Sequence, residues 1–290
     1  MINSIEQLLA VSILPEFGCL NSNDVDIISQ ELDALEKNPV NGWNVIFPTL
    51  YNTLYNITSD LCIKLKCDVP SLFIDFQGSQ KLQTSAYLMM DGTAQLHIGI
   101  DFIREFLLDK STDRHIMYRS FKWSIAHELC HICDSNFKSF ARSYSFRLFV
   151  DRFLLGCFLI GLTSFISGAE NILGHANYFI LFIISIFFIV LKKVLITFLH
   201  RKFEYSADER TVGIIEDFDV QIVKIALTKM TTNIHDFITK SYGNSSNIVA
   251  QFFDSFHKKF VLAQSFLLHP SINRRIMRLH SICSRTRILK

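Results

Sequence analysis

The 290-residue chain has almost no net charge: 29 Lys and Arg stand against 27 Asp and Glu, a formal +2. No strong field is left to attract a polyanion, so nucleic acid is not an expected partner. Its 7 cysteines are odd in number and scattered. That is not the pattern of a disulfide framework, and a reducing compartment is the default expectation. The opening MINSIEQLLAVSILPEFG lacks the basic stretch of a signal peptide, with Glu6 its only early charge, so a cleaved leader is not expected. Ile5, Leu8, Leu9 and Ser12 instead fall at helical spacing and predict a packed N-terminal helix. Internal repeats and low-complexity segments are also missing.

The most informative absence is local. From Phe153 to Leu191 there is no Lys or Arg, and the run holds one carboxylate, Glu170, and one histidine, His175. The run splits at SGAENILGHAN into two arms, FLLGCFLIGLTSFIS and YFILFIISIFFIVL. Each is shorter than the roughly 20 residues that cross a bilayer. Each can be extended, the first through Ile172-Leu173 and the second past Lys192 and Lys193 to Leu199, since lysines near a helix end can snorkel. The second arm is apolar on every face, which favours a transmembrane hairpin over a buried pair in a soluble core. Lys138, Arg142, Arg147 and Arg152 precede the first arm; Lys192, Lys193, Arg201 and Lys202 end or follow the second. The positive-inside rule puts both flanks in the cytoplasm and the turn, with Asn171 and His175, on the far side. The hairpin, residues 146–200, is then an insertion into one folded unit made of residues 68–145 and 201–290, behind an N-terminal helical region, 1–67.

Elsewhere the patterns are short. DVDIISQELDALEKN has an acidic start, a Leu/Ile stripe and a stop at Asn38-Pro39; a second helix covers TLYNTLYNITSDLCIKL. SLFIDF, SAYLMM and AQLHIGI read as strands, the last two joined through Asp91-Gly92-Thr93 as a hairpin. DFIREFLL reads as a helix, and a longer one runs from Arg114 to about Asp134.

That longer helix carries HELCH. His127 and His131 are four apart, so their imidazoles face one way and can share a Zn²⁺ at roughly 2.0–2.1 Å. Glu128 beside them can take a proton from metal-bound water. The upstream strand AQLHIGI is expected to be the edge strand that pairs with substrate backbone. A third ligand is still needed. After the hairpin, in RKFEYSADERTVG, Glu204 and Asp208 share one helical face beside the small Ala207. Glu204 would complete a His-His-Glu set with the fourth position open, and Asp208 would orient a ligand histidine. Asp134, seven residues after His127, competes for the third place, and Glu204 could instead be a surface carboxylate paired to Arg201 or Lys202. Cys130 and Cys133 read as buried filler, and His97 as a strand residue near the groove. Near the end, His269-Pro270 precede an Arg-rich helix.

In this order, HExxH at His127, Glu128 and His131, a hydrophobic hairpin, ExxxD at Glu204 and Asp208, then His269, Pro270 and Arg275-Ile276, the chain resembles the integral-membrane zinc metallopeptidases of the HtpX heat-shock protease and CAAX prenyl endopeptidase type. SAYLMMDGTAQLHIGIDFI resembles that family's strand pair, and the likeness runs from about residue 68 to 280. It implies a zincin-like α+β fold, mostly helical, with a small sheet and an interrupting hairpin. It implies one Zn²⁺ per chain, a role for His269 at the oxyanion, and Arg275 near the site, pairing with Asp208. Two features depart from the family: a polar helical region stands where membrane spans usually precede the active helix, and Ser85-Ala86 replaces the usual Asn-Ala.

The expected activity is zinc-dependent endoproteolysis at the cytoplasmic face of an inner or plasma membrane, with protein or peptide substrates that include membrane or misfolded proteins. The rival readings are a membrane-tethered zinc-binding sensor or scaffold without proteolysis, and a soluble metallopeptidase whose apolar arms are core.

Overall fold

The computed structural model describes residues 20–39, 42–89, 91–108, 114–167, 175–215, 218–241 and 269–288. The helix predicted at Ile5–Ser12 and most of the turn around Asn171 lie outside them. In chain order the elements are α1 (Ser22–Lys37), α2 (Trp43–Ile46), α3 (Pro48–Leu65), β1 (Ser71–Asp75), β2 (Thr84–Leu88), β3 (Ala94–Gly99), α4 (Ile100–Phe106), α5 (Arg114–Cys133), α6 (Ser135–Arg142), α7 (Tyr144–Ser167), α8 (His175–Val212), α9 (Val220–Ser241) and α10 (Ile272–Ile288). The protein is mostly helical with one small sheet, as the patterns predict.

Local chemistry explains the first helices. The side chain of Asn21 accepts a hydrogen bond from the Asp24 N–H at 2.8 Å and so caps α1. Val25, Ile28, Leu32 and Leu35 form its buried stripe, at the spacing of one helical face. The stripe packs in a common core with Leu50, Leu54 and Leu61 of α3, and each such side chain contributes about 1.5–3 kcal/mol. Glu31 of α1 accepts from the N–H groups of Thr49 and Leu50 at 3.3 and 2.6 Å. A carboxylate there satisfies two of the donors that the N-terminus of α3 leaves open. The same core includes Phe121, Ile125 and Leu129 of α5, so the N-terminal helices and the HELCH helix share one interior.

The sheet order is β1-β3-β2, with β1 parallel and β2 antiparallel to β3. This corrects one expectation. AQLHIGI is the central strand, because both neighbours pair with it; the edges are Ser71–Asp75 and Thr84–Leu88, and the latter meets the HELCH helix. The predicted hairpin is present, with Gly92 at φ 89° and the side chain of Asp91 accepting from the Thr93 N–H at 2.9 Å. Leu96 and Ile98 point into the core. On the opposite face His97 lies 3.0 Å from the Asp75 carboxylate, between the rings of Phe73 and Tyr87.

The end of α5 falls within one residue of the expected boundary. The helix stops at Cys133, and Asp134 does not continue it. Its carboxylate accepts from the N–H groups of Asn136 and Phe137 at 2.7 and 3.2 Å, capping α6.

Helices α7 and α8 pack side by side and antiparallel. Phe158 meets Phe182 with ring centroids 5.1 Å apart, and Lys192 reaches back to Asp151 and to the Arg147 carbonyl. Gly161 lets them approach: a Cβ there would stand 3.0 Å from the Phe182 Cβ. Their outer faces expose Phe149, Phe153, Ile160, Phe187, Val194 and Phe198. Among the described residues one stretch, Phe182–Val212, is long and apolar enough to cross a membrane by length and composition. No break separates the second apolar arm from the ExxxD segment; both belong to α8.

Candidate metal centre

The site forms where the far end of α8 crosses α5. Phe203 and Ala207 are buried against the body, and Thr211 approaches Cys130 of α5 at 3.5 Å. Ala207 has little side chain to hold the helices apart, so Glu204 and Asp208, one turn apart, both reach the histidines. Glu204 Oε2 lies 3.5 Å from His127 Nε2, and Glu204 Oε1 lies 3.4 Å from His131 Nε2. One donor atom from each of His127, His131 and Glu204 falls within 4.8 Å of the others, and all three residues are buried. Two imidazoles and one carboxylate with a side left open are the donor set of a catalytic zinc site, so these residues fit the ion.

Asp208 lies on the far side of the His127 ring, with Oδ1 3.0 Å from Nδ1. It thereby fixes the ring orientation that directs Nε2 at Glu204. Asp208 is itself gripped by Arg275 of α10, whose Nε and terminal nitrogen donate at 2.8 and 2.5 Å. Another nitrogen of Arg275 reaches Glu204 at 3.2 Å, and the guanidinium lies 5.7 Å from the Trp123 ring. His269 approaches Glu204 Oε1 at 3.3 Å while remaining largely exposed.

Charge stabilises this arrangement. Burial alone would raise the Glu204 carboxyl, but hydrogen bonds from His127, His131 and His269, with the Arg275 charge, hold it well below the usual carboxylate range. Asp208 behaves alike: burial opposes its charge, Arg275 and His127 outweigh burial, and its pKa is lowered. For His127 burial favours the neutral ring, yet Asp208 and Glu204 prevail and raise it to about 9. His269 is raised chiefly by its bond to Glu204. Desolvation works against the Arg275 charge, but Asp208 and Glu204 overcome it and raise its pKa.

Glu128 points to the sheet. Its Oε2 accepts the Ala86 main-chain N–H at 3.0 Å. Beside it opens a cavity of about 910 Å³, bordered by β2, His127, Glu128 and His131, the end of α8, α9 and the residues around His269. An open space next to two imidazoles, a carboxylate and a second, separate carboxylate can accommodate an extended chain, polarise a carbonyl and move a proton.

The structure therefore brings His127, Glu128, His131, Glu204, Asp208, His269 and Arg275 to one place. Asp134, the competing third ligand, is occupied as a cap and is not in the cluster. His97 faces away on the outer side of the sheet, though its neighbour Tyr87 borders the cavity. Cys130 is buried, and burial pushes its thiol up to about 11, in keeping with a packing role.

Sequence reasoning missed the far wall. Leu227 and Met230 of α9 close the cavity, as do Trp123 of α5 and Phe137 of α6. The apolar spacing of VQIVKIALTKM was the available signal for a helix here, but spacing does not say what a helix faces. His200 is a further omission: one turn before Glu204, it borders the cavity with its ring against Phe140 at 5.2 Å.

The profile of peptidase family M48 matches residues 121–283, more than half of the chain. No curated protein and no solved structure matches it. The matched span begins just before HELCH, ends beyond Arg275 and contains every residue of the cluster, and on this ground the chain belongs to peptidase family M48, the metallopeptidases that include HtpX and the CAAX prenyl proteases.

Proposed function

We propose that the protein is a membrane-anchored, zinc-dependent endopeptidase, HtpX-like, that cuts protein or peptide substrates at the cytoplasmic face. One observation carries this reading. Donor atoms from two segments separated by the apolar hairpin converge within 4.8 Å, beside a general-base candidate and an edge strand on one cavity. Residues 68–145 and 201–290 then act as one peptidase unit. The hairpin, residues 146–200, is its anchor, and the described helices between residues 20 and 67 pack against the unit. The exposed apolar faces of α7 and α8 support a lipid environment.

A zinc ion held by His127, His131 and Glu204 would supply Lewis acidity toward the scissile carbonyl and the attacking water. The chain does the rest. Asp208 orients the His127 ring, and Arg275 balances the charge of Asp208 and Glu204. The outer edge of β2 aligns the substrate backbone by strand addition. Glu128 takes the proton of the attacking water and returns it to the leaving amine. His269, exposed at the mouth of the cavity, donates to the oxyanion.

The test is metal analysis joined to cleavage of an unfolded membrane protein. The wild type should carry one zinc per chain and cleave. Glu128→Gln should keep the zinc and lose hydrolysis, because Glu128 lies beside the ligands and not among them. Zinc without cleavage in the wild type would favour the sensor or scaffold reading; activity in Glu128→Gln within a few-fold of wild type would remove Glu128 from the chemistry.

A further inference from the structure

The contact between Ala86 and Glu128 has a consequence for substrate choice. The register of β2 on β3 pairs Ala86 with Leu96 and Ser85 with His97. Hydrogen bonds close this ladder at Gly99 N–H to the Gln83 carbonyl and at Met89 N–H to the Thr93 carbonyl, both 2.9 Å. In an antiparallel pair the bonded positions alternate. Residues 83, 85, 87 and 89 therefore turn their main-chain groups toward β3, while Thr84, Ala86 and Leu88 turn theirs outward. The outward Ala86 N–H is the one engaged by Glu128 Oε2, at 3.0 Å. Strand addition on this edge would need the same outward groups.

We propose that the main-chain N–H of Ala86 is a positioning group shared between Glu128 and the substrate. It tethers the carboxylate to the edge of β2 until an extended chain pairs with that edge and takes the N–H for its own carbonyl. Release of Glu128 for proton transfer is thereby coupled to backbone pairing, and the favoured substrate class is an extended, unfolded segment long enough to add a strand. A short peptide that fills the cavity without pairing leaves Glu128 tethered. The inference rests on the peptidase reading of the site. It adds a role for a residue whose side chain has no chemistry.

The test is a binding cycle with an uncleavable extended peptide, its scissile amide replaced by a reduced methylene-amine, applied to the purified zinc-loaded protein. Glu128→Ala frees the Ala86 N–H, so the peptide should bind more tightly, by roughly two- to tenfold, the value of one hydrogen bond. Ala86→Pro removes the N–H. Proline is tolerated at this edge position because the lost donor does not belong to the ladder. In the Ala86→Pro background, Glu128→Ala should give no gain. A gain of equal size in both backgrounds would show that Glu128 acts on the peptide by charge alone and would overturn the proposal. No gain in either background, with the peptide bound, would overturn it as well. If Ala86→Pro does not fold, hydrogen exchange decides: the Ala86 amide should exchange faster in Glu128→Ala than in wild type, and an unchanged rate counts against the tether. A wild type that binds no extended peptide at all defeats the peptidase reading itself, which separates the two failures.

Discussion

At the scale of single residues the site is a chain of charge, running from the Arg275 guanidinium through Asp208 and His127 to the shared Glu204 carboxylate. Each link predicts a different loss. Glu204→Ala should empty the metal site, because two imidazoles on one helix do not complete the set; equilibrium zinc content measures it. Asp208→Ala should weaken zinc by roughly 10–100-fold, as changes behind a ligand histidine do. It also strands a buried guanidinium, and breaking a buried ion pair costs about 3–5 kcal/mol, read as a lower unfolding midpoint. Asp134→Ala should keep the metal and cost only about 1 kcal/mol, through loss of the α6 cap. If Asp134→Ala empties the site while Glu204→Ala leaves it full, the ligand assignment is reversed.

At the scale of elements, α8 joins two functions. Its first part exposes Ile183, Phe187, Val194 and Phe198, and its last part buries Phe203, Glu204, Ala207 and Asp208. A continuous helix transmits orientation, so in the proposed anchored arrangement the depth of the apolar part would set where the cavity mouth stands above the bilayer. Full release of the chain by alkaline carbonate would contradict the anchor. A cysteine introduced at His175 should be labelled only from the far side of sealed vesicles. Labelling from the cytoplasmic side would turn the hairpin into one that dips into a single leaflet. Gly161→Leu should wedge α7 from α8, because its side chain would enter the space held by Phe182; a lowered thermal midpoint in detergent, with zinc content unchanged, is the expected result.

At the scale of the whole molecule, the hairpin is dispensable for the metal if it is an insertion. Replacing Phe153–Leu195 by a flexible linker should give a chain that no longer sediments with membranes yet still binds zinc, since every donor comes from the flanks. Loss of zinc in a folded product would mean that the hairpin itself holds α8 on α5. The N-terminal helices are not dispensable in the same way. Leu32, Leu54 and Leu61 share an interior with Phe121 and Leu129 of the active helix. Truncation before residue 68 should expose that surface and leave the remainder insoluble.

Periodicity and spacing by themselves determined a good deal here. The Leu/Ile stripe of α1, the paired histidines of HELCH, the Glu204–Asp208 turn and the apolar arms are all local, because a helix converts spacing along the chain directly into a common face. The strands and their Asp91-Gly92-Thr93 turn were legible for another local reason, short β-type runs on either side of a turn-forming Asp-Gly pair. Strand order was not, since pairing partners are chosen by contacts far apart in sequence; AQLHIGI went to the centre because it has neighbours on both sides. The sequence shows two carboxylates at plausible spacings and ranks Glu204 ahead of Asp134, because Glu204 returns on a second helix with Asp208 one turn on. In the fold Glu204 lies with the histidines and Asp134 does not, because α5 ends at Cys133, Asp134 caps α6 and the small Ala207 lies where two helices cross. The hydrogen bond from Ala86 to Glu128 joins residues 42 apart through a main-chain atom, and a main-chain atom leaves no mark in the sequence at all.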